Sequence, residues 1–494
     1  MSIMNRRYAQ RLRTRYRLIF SYVGWGLIAL ALAMIFPLAA LPFQSDFQQD
    51  QIAAFLLPMV GSLAVGALFI LQRPKGEVNP LSVSEGGVIV LFMWMLAPAI
   101  STYPFLRLTS ATFSQALFET VSSWTTTGLS VIDPEHTLHI LLLWRSWMSW
   151  LGGLGLVMLV SAALVGASSM GLYQAEARSE QLRANLAYST RLIVVIYAIY
   201  TLIGGLLYRL AGLSWFDAIN HTFVALSTGG LSTRMENIAA FDNVWVAMVS
   251  ILLMILGAVS FPVHYALWRR QWSRAYRDGE TRIFVMLLLL GTGLLTWRSL
   301  PLGLYRWYDG LFQAVSALTT TGFSTATLSS IDDFGLVILI LLMFVGGGAF
   351  STAGGIKLWR AYLLLKTLRW QIRKYQLPRT ASYPLMVWRA GRRREVSPAE
   401  VQEMFTSVAI QAIFFALGLL MLVGSGISLR AASFDLMSAL STVGLSVGAV
   451  GPDSPPGILA VFTAAMALGR LEFLVVFFAG AKFIRDLGTM VRKD

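Results

Sequence analysis

Phe312–Thr325 reads F-Q-A-V-S-A-L-T-T-T-G-F-S-T. It opens as a short apolar helical pattern and closes in three threonines and a glycine, a composition that neither a core helix nor a membrane span requires. The stretch recurs. Phe118–Ser130 reads F-E-T-V-S-S-W-T-T-T-G-L-S and Phe434–Ser446 reads F-D-L-M-S-A-L-S-T-V-G-L-S, with the glycine in the same register. A degenerate copy at Asn220–Ser232, N-H-T-F-V-A-L-S-T-G-G-L-S, sets Gly230 opposite Gly128, Gly322 and Gly444. Four copies imply a four-fold site.

The chain around these copies is 56% hydrophobic and 13% charged over 494 residues, against about 25% charged in soluble domains, the composition of an integral membrane protein. Its first apolar run, Leu18–Phe43, follows six arginines from Arg6 to Arg17. That run is far longer than the roughly 7–15 residues of a signal-peptide core, so it is expected to stay in the mature protein. With Ile52–Gln72 it makes an N-terminal hairpin of two spans, each meeting the roughly 20 residues that a bilayer core needs.

From Gly86 a unit of span, short pore segment and span recurs four times. The first unit uses Gly87–Phe105, Ala111–Ser130 and Leu138 to about Ala167; the second uses Leu192–Ala211, Trp215–Ser232 and Val244–Leu267. The third uses Ile283–Leu304, Trp307–Ser324 and Leu336 to about Leu365, interrupted near Gly346; the fourth uses Val408–Ile427, Ala431–Ser446 and Ile458–Phe483. The expected organisation is therefore an arm and hairpin over 1–80 and units over 81–185, 186–278, 279–395 and 396–494.

Charge tests this topology independently. Arg178, Arg183 and Arg191 lie near the first linker between units, Arg269, Arg270, Arg274, Arg277 and Arg282 near the second, and the third, Lys357–Arg394, is densely basic. The opposite loops carry Asp133, Glu135, Asp332, Asp333 and Asp453. Basic linkers belong on the cytoplasmic side, which places both termini there. The net charge of +14 is thus an orientation signal, not the footprint of nucleic-acid binding. Cysteine is absent, so disulfides and thiolate metal sites are excluded.

A pore segment of about 12 helical residues rises only roughly 18 Å, so it enters the membrane and must turn back. Irregular backbone at that depth is tolerated only where it is buried in protein or lines water. Four Thr/Gly loops about one axis can present rings of carbonyl oxygens to a dehydrated cation, with the negative ends of four short helices aimed at it. The competing reading is that T-T-T-G and S-T-G-G are small-residue patches where membrane helices pack.

In these residues the chain resembles the Trk/Ktr/HKT superfamily of potassium transporters, specifically its TrkH-type pore-forming subunits. The likeness also rests on W-R-S-W-M-S-W-L-G-G-L-G at Trp144–Gly155, S-F-P-V-H-Y at Ser260–Tyr265, G-G-G-A-F-S-T-A-G-G-I-K at Gly346–Lys357 and A-L-G-R-L-E at Ala467–Glu472. It implies an all-α integral membrane protein, a single-chain pseudo-tetramer of four span/pore-helix/span repeats around a central pore, with the extra hairpin in front. The K+ filter it implies comprises Thr126, Thr127 and Gly128; Thr228, Gly229 and Gly230; Thr320, Thr321 and Gly322; and Thr442, Val443 and Gly444. Relatives with serine at the first glycine are associated with sodium, and all four copies here carry glycine.

The resemblance makes the segment Gly346, Gly347, Gly348, Gly354 and Gly355 an intramembrane gate beneath the filter; a packing kink is the other reading of these glycines. Arg470, counted with the gate as a secondary barrier or anchor, stands mid-span, where a charge is expensive, and should face the pore or an acid such as Glu472. His221 and His264 are read as packing or capping groups without a role. The function implied is K+ uptake across a bacterial inner membrane, with symport alongside H+ or Na+ as the alternative. The implied partners are a second copy in a homodimer, a TrkA-type cytoplasmic nucleotide-binding subunit, and membrane lipid. No Walker motif, paired acids within a span or metal-spaced histidine cluster supports an enzyme, and no organic cofactor is expected.

Overall fold

The computed structural model describes residues 3–43, 46, 48–74, 81–155, 186–299, 306–378, 383–389, 391–471 and 473–491. Arg178 and Arg183 in the first linker, the end of the first unit's second span and Glu472 lie outside them. Helices α1 (Ile3–Ala33) and α2 (Gln49–Leu71) pack against each other as the expected hairpin, and both lie on α3 (Val83–Leu108). Arg15 of α1 grips Glu85 at the start of α3 through both carboxylate oxygens.

The first unit continues through α4 (Phe113–Trp124) and α5 (His139–Leu154). The second comprises α6 (Leu186–Leu210), α7 (Trp215–Ser227), α8 (Val244–Ala258) and α9 (Phe261–Trp268). The third comprises α10 (Gly279–Ser299), α11 (Asp309–Leu318), α12 (Asp333–Val345) and α13 (Leu358–Tyr375). The fourth comprises α14 (Pro398–Gly424), α15 (Leu429–Leu440), α16 (Pro456–Leu471) and α17 (Phe473–Val491).

The pore helices α4, α7, α11 and α15 have 12, 13, 10 and 12 residues, all too short to cross a bilayer. Thr112, Ser214 and Ser428 start three of them by accepting the N–H of the residue three positions on, satisfying a donor that the first turn leaves free. Each pore helix packs on the second span of the preceding unit: α7 on α5, α11 on α8, α15 on α12, and α4 on α16. The last pairing joins unit one to unit four, so the units close a ring.

Among the described residues six helices are long and apolar enough to cross a membrane, and two bent helix pairs add up to two more. Their outer faces expose side chains such as Leu68, Leu202, Leu289 and Leu420, an apolar surface suited to a membrane. The chain is a multi-pass membrane protein.

Two expectations need correction. Val244–Leu267 and Ile458–Phe483 are not continuous spans: α8 and α9 meet at 105°, and α16 and α17 at 97°. At the first break Pro262 sits in the opening turn of α9, where its missing N–H does no harm. The basic linker Lys357–Arg394 carries secondary structure of its own. It contains α13 and a two-stranded antiparallel hairpin, β1 (Met386–Arg389) with β2 (Arg392–Glu395), paired Met386 to Glu395 and Arg389 to Arg392.

Candidate ion-conducting site

All four pore helices end alike. In α4 the N–H of Thr126 donates to Ser123 O and that of Thr127 to Ser122 O, at 3.1 and 2.9 Å. Thr320 and Thr321 repeat the pair on Ala317 and Ser316, and Thr442 and Val443 on Ala439 and Ser438. Thr228 and Gly229 do so on Ala225 and Val224. This wrap normally needs glycine at the left-handed position. Here that position is held by Thr126, Thr228, Thr320 and Thr442, with φ between 50° and 56°. A β-branched residue in that region is a genuine outlier, worth roughly 1–3 kcal/mol of strain each. Four equal outliers in one place mark a site, since packing alone has no need of them.

The glycines two residues on are also left-handed: φ is 92° at Gly128, 70° at Gly230, 87° at Gly322 and 98° at Gly444. The residue between them, Thr127, Gly229, Thr321 or Val443, does not have positive φ. An extended strand alternates its carbonyls to opposite sides; alternating the hand of the backbone turns successive carbonyls toward one side. A Cβ on Gly128 would fall within 3.0 Å of Gly229 O, one on Gly230 of Thr321 O, one on Gly322 of Val443 O, and one on Gly444 of Thr127 O. The chain of contacts runs from copy one through two, three and four and back to one. The twelve residues singled out from sequence therefore form one closed four-membered ring at the C-termini of four helices, where the partial charge is negative.

A floor lies against this ring. Gly152, Gly257 and Gly469, on the second spans of units one, two and four, bring their Cα atoms under Trp124 O, Leu226 O and Leu440 O, so close that a Cβ would clash. The helices that carry them, α5, α8 and α16, end within a few residues, at Leu154, Ala258 and Leu471. In unit three the floor is the segment 346–357. Gly346 abuts Gly354 and Gly355, closing the segment into a compact loop, and φ of 71° and 75° at Gly346 and Gly355 favours glycine. Gly347 packs on Ala353, and Gly348 donates to Ala258 O at 2.9 Å.

The loop bonds units two, three and four directly and is linked to unit one through Arg470 of unit four. Thr352 Oγ1 lies 2.9 Å from Gly257 O and 3.1 Å from Leu226 O in unit two. Gly354 N donates to Thr320 Oγ1 at 2.7 Å, and Gly355 N to Ser441 O at 3.1 Å. Unit one is reached through Arg470, whose guanidinium donates to Thr352 O at 2.7 Å and to Gly152 O at 2.6 Å. Through these carbonyls Arg470 clasps the loop to unit one. Two hydroxyls of the left-handed threonines, those of Thr126 and Thr442, are buried without a hydrogen-bond partner.

The sequence reading passed over Arg145 and Glu119. Both are buried, and their side chains meet at 2.6 Å. Arg145 also donates to Ser130 Oγ at 3.1 Å and to Ser232 O at 3.1 Å, so one guanidinium ties copy one to copy two. The arginine inside an otherwise apolar W-R-S-W was the available signal. His221, given no role, is buried beside the second copy and bonds Asp217 O and Ser232 Oγ. His264 bonds Tyr200 and Leu256 O at the bend between α8 and α9, a structural place.

The family model for TrkH, described as a cation transport protein, matches residues 51–485. The chain is 31% identical over 486 residues to the Trk system potassium uptake protein TrkH of Halomonas elongata, covering 93% of this chain and 97% of that one. It is 29% identical over 489 residues to the Trk system potassium uptake protein TrkG of Escherichia coli, covering 94% and 98%. The crystal structure of the potassium transporter TrkH from Vibrio parahaemolyticus superposes with a TM-score of 0.81 at 24% identity, covering 94% of this chain and 98% of that chain. With the model covering most of the chain, the protein belongs to the TrkH family of cation transport proteins.

Proposed function

We propose that the protein carries potassium ions across a bacterial inner membrane, that the ring of Thr/Gly copies is its selectivity filter, and that the loop Gly346–Lys357 is its gate. The observation that carries this reading is the closed ring of glycine-to-carbonyl contacts, because rings of carbonyl oxygens can replace the hydration shell of a cation. The unpaired hydroxyls of Thr126 and Thr442 add acceptors that an ion would satisfy. The printed names of the Halomonas and Escherichia relatives favour K+ as the cargo.

The gate reading rests on the loop's position across all four units. A closed loop blocks sterically, and Arg470 of unit four ties it to the Gly152 carbonyl of unit one. We further propose that the pore works as a homodimer under a cytoplasmic nucleotide-binding subunit. The exposed basic surface of lower α13 and of β2, with Arg373, Lys374, Arg392 and Arg393, is the place for it to dock, and the loop leads directly into α13. Co-purification at native stoichiometry tests this assembly.

The transport reading is tested by reversal potentials of proteoliposomes under K+, Na+ and pH gradients. A potential following the K+ gradient is expected; equal K+ and Na+ permeability would sink the reading. A potential that moves with pH or Na+ at fixed K+ gradient would replace conduction by symport.

A further inference from the structure

Behind the ring, one hydrogen-bond pattern repeats four times in four chemistries. The pore-helix residue nine positions before the glycine is Glu119, His221, Gln313 or Asp435, and each is buried. Each bonds the serine two positions after the glycine: Ser130 Oγ donates to Glu119 at 2.8 Å, and Ser446 Oγ to Asp435 at 2.6 Å. Gln313 Nε2 donates to Ser324 Oγ at 2.8 Å, and His221 Nε2 lies 3.0 Å from Ser232 Oγ. In every copy that serine oxygen also accepts the backbone N–H two residues on, from Ile132, Arg234, Ala326 and Gly448.

The next residue is held as well, always by a carboxylate. In copies one and four the same acid does it, accepting from Val131 N at 3.2 Å and Val447 N at 2.8 Å. In copies two and three, where that position is the His or the Gln, an acid one helical turn earlier takes over. Asp217 accepts from Thr233 Oγ1 and Asp309 from Thr325 Oγ1, both at 2.6 Å. The residue identities differ while the two restraints stay constant, which simple space-filling would not produce.

We infer that Glu119, His221, Gln313 and Asp435 are positioning residues for ion selection, which fix the segment leaving each ring glycine by binding the serine two residues beyond it. The inference rests on reading the ring as the filter. A carbonyl ring discriminates between cations only while its radius and its dipoles are held against relaxation around the smaller ion. The ring glycines are restrained on one side by the helix-end hydrogen bonds and on the other by the segment that these serines anchor, with Asn237 Nδ2 on Gly230 O as a further hold in copy two. Loosening that segment lets the ring shrink around Na+.

The test is the K+/Na+ permeability ratio, from bi-ionic reversal potentials, of Ser446→Ala, Ser446→Thr and Gly444→Ser, each checked for folding by gel filtration. The Ser324→Ala and Ser324→Thr pair repeats the test in copy three, should the Ser446 variants fail to fold. Alanine, which removes both the bond to the pore-helix residue and the acceptor for the N–H two residues on, is expected to lower the ratio at least about fivefold, the weight of one of the two hydrogen bonds, while threonine, which keeps the hydroxyl, restores it. If alanine leaves the ratio intact, or threonine lowers it equally, while Gly444→Ser lowers it, the positioning role is wrong and the filter reading stands. If Gly444→Ser leaves the ratio intact, the filter reading falls and the inference falls with it.

Discussion

Replacing Gly128 by serine puts a side chain on a backbone with φ of 92° and drives its Cβ into Gly229 O of the neighbouring copy. The left-handed backbone costs about 1–2 kcal/mol for an L residue. Overpacking a filled site adds about 1–3 kcal/mol, for roughly 2–5 kcal/mol in all. That is less than the roughly 5–15 kcal/mol of a typical fold, so the protein should still assemble. The strain is relieved where it arises, by displacement of the Gly229 carbonyl, and about 1.4 kcal/mol of lost discrimination at the ring is already tenfold. Bi-ionic reversal potentials of Gly128→Ser are therefore expected to show a K+/Na+ ratio reduced about tenfold or more. A folded Gly128→Ser protein with an unchanged ratio would refute the argument that these glycines shape a carbonyl ring.

Deleting Ser351–Ala353 removes Thr352, which bonds both unit two and Arg470, and should raise basal K+ flux strongly; unchanged flux per folded protein would make the loop a packing kink. Arg470→Ala takes away two charge-assisted bonds, each worth about 1.5–3 kcal/mol, but leaves the loop's bonds to units two, three and four. Flux should rise, by less than in the loop deletion, with K+ preference retained; a loss of preference would move Arg470 from the gate to the filter.

The four-fold plan was legible because a re-entrant helix is short and ends in residues that no span needs, and that pattern survives in all four copies. The pore-helix limits follow from it closely: the expected Trp215–Ser232 segment contains α7 at Trp215–Ser227. The left-handed threonines were not legible, because local preference argues against them and only the closed ring makes them tolerable. The bends of the second spans were hidden because hydropathy registers apolar length and carries no direction. A trace was present in Gly152, Gly257 and Gly469, which sit at related places beneath the pore helices. Arg470 was recognisable as costly, but its bonds to carbonyls of two other units, 118 and 318 positions away in sequence, were not foreseeable. The serine-binding positions escaped notice because Glu, His, Gln and Asp share no class; only the geometry makes them one set.

The most direct test of the ring as an ion site is a structure determined with Rb+ or Tl+ in place of K+. The expected result is anomalous density on the ring axis, coordinated by the carbonyl oxygens of Thr127, Gly229, Thr321 and Val443, and lost when Na+ is exchanged in. Density absent from the ring while ions occupy another path through the protein would contradict the assignment.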